Sequence, residues 1–153
     1  MGISAQTPNE DLPGFLQPST DPAPESRRGL QAKTILIVDD NESERTVIRS
    51  AVENLTKFRV CGEAANGTDA VRRARELKPD LVIMDLAMPL MNGLEAASIL
   101  KYELPRVPVV LFTLYADLIH GPRSPMFGVT MVVSKEDGLA PLLACLKGLL
   151  QPS

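Results

Sequence analysis

The run Asp80-Leu81-Val82-Ile83-Met84-Asp85 constrains the fold more than any other stretch of the chain. Leu81 to Met84 is continuously apolar, without the polar alternation of a half-exposed strand. Such a run suits a strand covered on both faces, as in a parallel sheet flanked by helices. It delivers one carboxylate, Asp85, to its C-terminal end. A carboxylate in that place is costly to bury unless it is paired or holds a metal. Taken alone, Asp85 is better explained as a solvated strand-end residue, so its meaning depends on what the other strands bring.

The remaining pattern alternates strand and helix. Thr34 to Val38 is a second apolar strand, running into Asp39-Asp40-Asn41-Glu42. Val47, Ile48, Ala51, Val52 and Leu55 then recur at helical spacing, which predicts a helix over 42–55 capped by Asp40 or Asn41. A strand is expected over 58–63 and a helix over 67–77, stopped by Pro79. After the Asp85 strand comes a helix over 93–102, with Leu94, Ala97 and Leu100 inward. Strands follow at 107–113 and 130–133, and Leu139, Leu142, Leu143, Leu146 and Leu150 line a last helix. This order predicts an open parallel sheet with helices on both faces and right-handed crossovers. It accounts for residues 33–150 as one domain, with no second domain expected after it. Residues 1–32 contain Pro8, Pro13, Pro18, Pro22 and Pro24 among polar residues, with no apolar period. That composition predicts a disordered tail.

Charge and composition narrow the function classes. Net charge is −3 with 23% charged residues, which speaks against a basic nucleic-acid footprint. No apolar run approaches the roughly 20 residues that cross a bilayer, and the N-terminus has no secretory pattern. Cys61 and Cys145 form no metal-type spacing, so reduced thiols in a cytoplasmic protein are expected.

Reactive residue types gather at the strand ends. Asp39-Asp40 follows the first strand, Asp85 the third, Thr113 the fourth and Lys135 the fifth. The second ends in Glu63-Ala64 and adds nothing obvious. In an open α/β sheet ligands bind at this rim. Each member has an ordinary explanation: a helix cap, a structural threonine, a solvated lysine. Their joint placement is much harder to explain that way. Three clustered carboxylates repel one another unless a hard cation lies among them, and oxygen ligands fit Mg²⁺. A lysine and a hydroxyl beside it suit a phosphoryl group. The inferred chemistry is phosphoryl transfer onto a carboxylate, giving an acyl phosphate.

Ile37-Val38-Asp39-Asp40, the stretch Asp85-Leu86-Ala87-Met88-Pro89-Leu90-Met91-Asn92-Gly93, Thr113 and Lys135 together resemble the receiver domain of bacterial two-component response regulators. The resemblance implies a flavodoxin-like, doubly wound, five-stranded parallel sheet in order 2-1-3-4-5. It implies Asp85 as phosphoacceptor. Mg²⁺ would be held by Asp40, Asp85 and the Ala87 backbone carbonyl, with Asp39 acting mainly through a water. Lys135 would pair with the phosphoryl oxygens, and Thr113 would swing in to hydrogen-bond them. The donor would be a phosphohistidine on a sensor histidine kinase or a histidine phosphotransfer protein. The expected product is a stand-alone regulator that promotes its own phosphorylation and dephosphorylation. It would act on a downstream protein or relay phosphate, without binding nucleic acid or membrane. A homodimer through the fourth helix, fifth strand and fifth helix is implied by the resemblance only.

Four departures from that family stand out. Val132 occupies a position that often holds Tyr or Phe, and is too short to follow the threonine inward. Glu136 replaces a proline often found after the lysine, so no cis peptide is expected there. Leu114 replaces a small residue and is expected to crowd the phosphodonor's entrance. Gly121, Pro122 and Pro125 predict a short or broken fourth helix, and His120 beside them reads as a surface residue. Val132, Leu114 and the broken fourth helix favour the alternative, a receiver-like interaction module that no longer switches by phosphate. The intact acidic pair with Asp85, Thr113 and Lys135 favours the first reading. An aspartyl-nucleophile phosphatase would need Asp-x-Asp after the first strand, which Asp39-Asp40-Asn41 does not supply.

Overall fold

Five short segments, most of them apolar, pair side by side in parallel. The computed structural model describes residues 31–119 and 128–151. The expected tail lies outside them except for its last two residues. In chain order the strands are β1 (Thr34–Val38), β2 (Arg59–Ala64), β3 (Leu81–Met84), β4 (Val109–Thr113) and β5 (Met131–Ser134). The sheet order is β2-β1-β3-β4-β5, the 2-1-3-4-5 arrangement that the resemblance implied. The helices are α1 (Glu42–Leu55), α2 (Gly67–Leu77), α3 (Gly93–Glu103), α4 (Ala116–Ile119) and α5 (Leu139–Leu150), with a 3₁₀ turn at Lys135–Asp137 before the last.

The sheet is the middle of two apolar cores. Successive residues of a strand point to opposite faces. Ile35, Ile37 and Ile83 accordingly pack with Ile48 and Val52 of α1 and with Leu142 and Leu146 of α5. Leu36, Val38, Val82 and Met84 pack instead with Ala70, Val71 and Ala74 of α2 and with Ala96, Ala97 and Leu100 of α3. All four residues of β3 are buried. At about 1.5–3 kcal/mol for each fully buried large apolar side chain, this strand is fixed by its own burial. The position of the carboxylate that follows it is then not negotiable.

The helix starts share one device. Each of the first three helices opens on an asparagine in the segment that follows a strand. Asn41 accepts from the Glu44 amide at 3.0 Å, Asn66 from the Asp69 amide at 2.8 Å, and Asn92 from the Glu95 amide at 2.9 Å. Glu95 returns the bond by accepting from the Asn92 amide at 3.0 Å, which closes a capping box. These side chains satisfy amides that the helix itself leaves unpaired. The choice between Asp40 and Asn41 as cap thus falls to Asn41.

Several expectations shift in detail. Strand β4 begins at Val109 rather than at 107, because Pro108 has no amide for the ladder; its carbonyl instead accepts from the Val82 amide at 3.0 Å. In α1, Ile48, Ala51 and Val52 are buried, but Val47 and Leu55 stay 52% and 62% exposed. The apolar stripe on this helix is therefore wider than the face the sheet covers. The fourth helix is a single turn among the described residues. Gly121, Pro122, Pro125 and His120 lie outside them, and so do the expectations made for them. No cis peptide occurs among the described residues. Cys61 and Cys145 are both free and partly buried, and burial pushes each thiol up. No helix among the described residues is long and apolar enough to cross a membrane.

Helix α2 ends on Lys78 at φ 47°, ψ 61°, the left-handed region. A side chain pays about 1 kcal/mol or more there, and glycine pays little. Lys78→Gly should therefore raise unfolding stability by about 0.5–1 kcal/mol. Urea denaturation followed by circular dichroism reads this directly; an unchanged or lower midpoint would contradict it.

Candidate functional site

The register of the central strands brings the acidic residues together. Val38 pairs with Met84 across β1 and β3, so the next residue of each, Asp39 and Asp85, stand side by side at the C-terminal rim. Backbone bonds hold both in place: the Asp85 amide donates to the Val38 carbonyl, and the Asp39 amide to the Ala64 carbonyl, each at 3.0 Å. Asp39 and Asp85 are buried, and Asp40 is exposed. One carboxylate oxygen from each of Asp39, Asp40 and Asp85 lies within 4.8 Å of the others.

Lys135 reaches the same point from the far side of the sheet. Thr113 pairs with Ser134 across β4 and β5, which sets Lys135 one residue past the strand. Its Nζ donates to Asp39 Oδ2 at 2.8 Å, to Asp85 Oδ2 at 3.1 Å, and to Glu44 Oε1. Burial alone would push this ammonium down. The hydrogen bonds to Asp39 and Glu44, with the charges of Asp85 and Asp39, outweigh burial and hold it above its ordinary range. The lysine is charged at every pH at which the protein would normally work. The second oxygen of each aspartate is also engaged. Asp39 Oδ1 accepts from the Asn41 amide at 2.9 Å, and Asp85 Oδ1 from the Leu86 amide at 2.7 Å.

Of the residues singled out in the sequence, Asp39, Asp40, Asp85 and Lys135 meet at one place. Thr113 is fully buried at the adjacent strand end. Its Oγ1 accepts from the Tyr115 amide at 3.1 Å; among the described residues no hydrogen bond joins it to Asp85 or Lys135. Ala87 lies exposed, two residues past Asp85. Leu114 is exposed and helps line a cavity of about 380 Å³ beside Lys135, together with Glu44, Val47, Phe112 and Leu139. Val132 is half-buried against the α2/α3 core.

Three contributors escaped the sequence reading. Glu44 contacts Lys135 from the first turn of α1. Arg45 donates to the Asp39 backbone carbonyl at 2.6 Å and, through Nε, to Glu63 at 2.8 Å. Glu63, which looked inert, also receives Arg49 at 2.7 Å. It thereby ties the end of β2 to α1 and fixes the arginine that steadies Asp39. No sequence spacing announces these contacts, because each joins residues that only the packing of α1 on the sheet brings near. The one available hint was the pair of arginines four apart, Arg45 and Arg49, which share a helix face. Gly93 has a related role. A Cβ at Gly93 would lie 2.3 Å from the Asp85 carbonyl oxygen, so only glycine lets α3 start so close to the acidic rim.

The arrangement matches a known family along most of its length. The family model described as "Response regulator receiver domain" matches residues 35–147. The chain belongs to the response regulator receiver domain family. It is 43% identical over 83 residues to the response regulator protein VraR of Staphylococcus epidermidis, a match covering 54% of this chain and 40% of that protein. The chain thus spans well under half the length of the curated relatives it matches. Among solved structures it resembles response regulator TrrA of Thermotoga maritima, in complex with Mg(2+)-BeF. There the TM-score is 0.68 at 28% identity, covering 77% of this chain and 99% of that one. It also shares the fold of a DNA-binding response regulator of the LuxR family from Staphylococcus aureus. That match has a TM-score of 0.68 at 22% identity, over 76% of this chain and 98% of that one.

These neighbours correct one expectation. The exclusion of nucleic acid, drawn from acidic composition, does not stand, because receivers of this kind occur in a DNA-binding regulator. Net charge speaks of a basic footprint on the chain that carries it. It says nothing about contacts made by other parts of a regulator built around such a domain. The expectation of a stand-alone regulator has no support from relatives that extend so far beyond the matched stretch.

The Glu63 bridge gives a pH-dependent prediction. Burial raises the Glu63 carboxyl, but the hydrogen bonds and charges of Arg49 and Arg45 outweigh it and hold it below the usual glutamate range. A group depressed in the folded state adds stability above its unfolded value, about pH 4.3, and loses it as pH falls through the folded value. Glu63→Gln should therefore cost about 0.5–1 kcal/mol at pH 7, with the gap closing below about pH 4. Urea midpoints of both proteins at pH 7 and pH 3.5 test this; a gap that widens in acid would refute it.

Proposed function

We propose that this domain accepts a phosphoryl group on Asp85 with the help of Mg²⁺, and that the acyl phosphate biases its interactions with other proteins or is relayed onward. The observation that carries the reading is the approach of Lys135 Nζ to Asp85 Oδ2 at 3.1 Å inside a group of three mutually close carboxylates. A lone ammonium among four carboxylates, counting Glu44, is under-neutralised. A divalent cation at oxygen ligands fits that deficit. Asp40, Asp85 and the Ala87 carbonyl would hold it, with Asp39 acting mainly through a water. Bound there, Mg²⁺ would neutralise charge on the transferring phosphoryl group.

The chain's own residues do the rest. The donor is a phosphohistidine on a sensor histidine kinase or phosphotransfer protein. A carboxylate oxygen of Asp85 forms the new P–O bond while the P–N bond breaks, and the electron pair leaves with the imidazole nitrogen. Lys135 turns an N–H to the incoming phosphoryl oxygens, a charge-assisted bond. Thr113 Oγ1 already uses its oxygen to accept from Tyr115, which leaves the hydroxyl hydrogen to be donated. Moving it to the phosphoryl group is the step that would bias a two-state switch. Attack of water on phosphorus returns Asp85 and inorganic phosphate. The domain thus promotes both its loading and its discharge, and works in the cytoplasm. Leu114 stands at the rim beside Lys135 and slows donor entry.

Asp85→Asn should abolish phosphoryl uptake from acetyl phosphate with Mg²⁺ and leave the fold intact, since it removes a negative charge from a crowded acidic rim. Intact mass spectrometry and far-UV circular dichroism read the two halves of this prediction. Stoichiometric labelling that persists in the variant would remove Asp85 as acceptor. A wild-type protein that takes up no phosphate would favour the interaction module instead.

A further inference from the structure

We propose that Glu44 is the exchangeable partner of Lys135, the carboxylate that gives up its N–H donor when a phosphoryl group arrives, and so sets the cost of loading. This rests on the phosphoacceptor reading above and adds a residue to it. A lysine ammonium has three N–H donors. Here all three have acceptors, on Asp39, Asp85 and Glu44. A phosphoryl group on Asp85 must take one, so one present acceptor has to yield.

The three acceptors differ in how easily they leave. Asp39 is 2% exposed, and its other oxygen is held by the Asn41 amide. Asp85 is the acceptor itself and is held by the Leu86 amide. The Glu44 side chain is 41% exposed. Among the described residues its carboxylate has no other hydrogen-bond partner, so it rehydrates on release at little cost. Its backbone is fixed all the same, because its amide donates to the Asn41 cap. The helix start thus holds Glu44 within reach of Lys135 while leaving its carboxylate free to swing toward water. Glu44 also adds a negative charge next to the place where phosphoryl oxygens would sit. Both effects act in one direction: they favour the unloaded domain.

The test uses the full chain and two variants of the first turn of α1. Glu44→Gln removes the partner of Lys135. Glu42→Gln removes an equal charge from an exposed residue of the same turn. Each protein is titrated with beryllium fluoride at saturating Mg²⁺, and separately with Mg²⁺ alone, following the amide signals of Thr113 and Lys135. Glu44→Gln should lower the half-saturating beryllium fluoride concentration about threefold, the scale of a half-exposed ion pair. Its affinity for Mg²⁺ alone should not rise, and Glu42→Gln should match the wild type. A merely structural role for Glu44 would weaken both ligands together. Unchanged or weaker beryllium fluoride binding in Glu44→Gln overturns the proposal while the phosphoacceptor reading stands. An equal gain in Glu42→Gln overturns it too, since general charge would then account for the effect. A wild-type protein with no response to beryllium fluoride at saturating Mg²⁺ removes the reading and this inference together.

Discussion

The rim of the sheet places four carboxylates around one ammonium, and that imbalance governs the rest of the structure. Lys135 bridges Asp39 and Asp85 across two strands and reaches α1 through Glu44. In doing so it joins the ends of β1, β3 and β5, which are far apart in sequence, with the start of α1. Pairs this sheltered are not generous contributors to stability, because desolvation consumes most of the Coulombic gain. Their value here is positional. They keep acidic oxygens close together and incompletely neutralised, a state that a second cation or a transferred group can relieve.

Such a rim needs a rigid support, and the two cores supply it. The three central strands, β1, β3 and β4, are sealed on both faces, by helices including α1 and α5 on one side and α2 and α3 on the other. Asparagine caps start α1 and α2 within three residues of the strand ends, and Asn92 starts α3 after a longer turn beyond Met84. The reactive side chains Asp39, Asp85, Thr113 and Lys135 sit at strand ends or one residue past them. Gly93 shows how tight this is, since its missing Cβ leaves room for the Asp85 carbonyl. The arginine–glutamate bridge from Arg45 and Arg49 to Glu63 has the same effect one step further out.

Membership of the receiver family fits this economy. The scaffold is common to regulators whose surrounding polypeptide differs, and the chain spans only 40% of the length of its VraR relatives. Acidic composition describes the surface of this domain and does not decide what a regulator containing such a domain binds. Charge is a property of the surface that carries it and does not transfer to a neighbouring module.

The sequence alone determined the strands and most helices, because their signal is local. Four apolar residues in a row at Leu81–Met84, or a helical recurrence ended by Pro79, need no distant partner to be read. It also determined which residue types reach the rim, since alternation of strand and helix brings every strand end to one side. Tertiary structure decided what the packing of α1 settles. Val47 and Leu55 fit the apolar stripe of that helix as well as Ile48 does, yet stay in solvent because the sheet covers a narrower face than the stripe offers. Glu44, Arg45 and Glu63 read as ordinary surface charges until α1 is set against β1 and β2. Lys135 and Asp39 lie 96 residues apart, and only the strand register closes that distance. Local pattern fixes what an element is; the choice of partners belongs to the packed sheet, where burial decides which charges must meet.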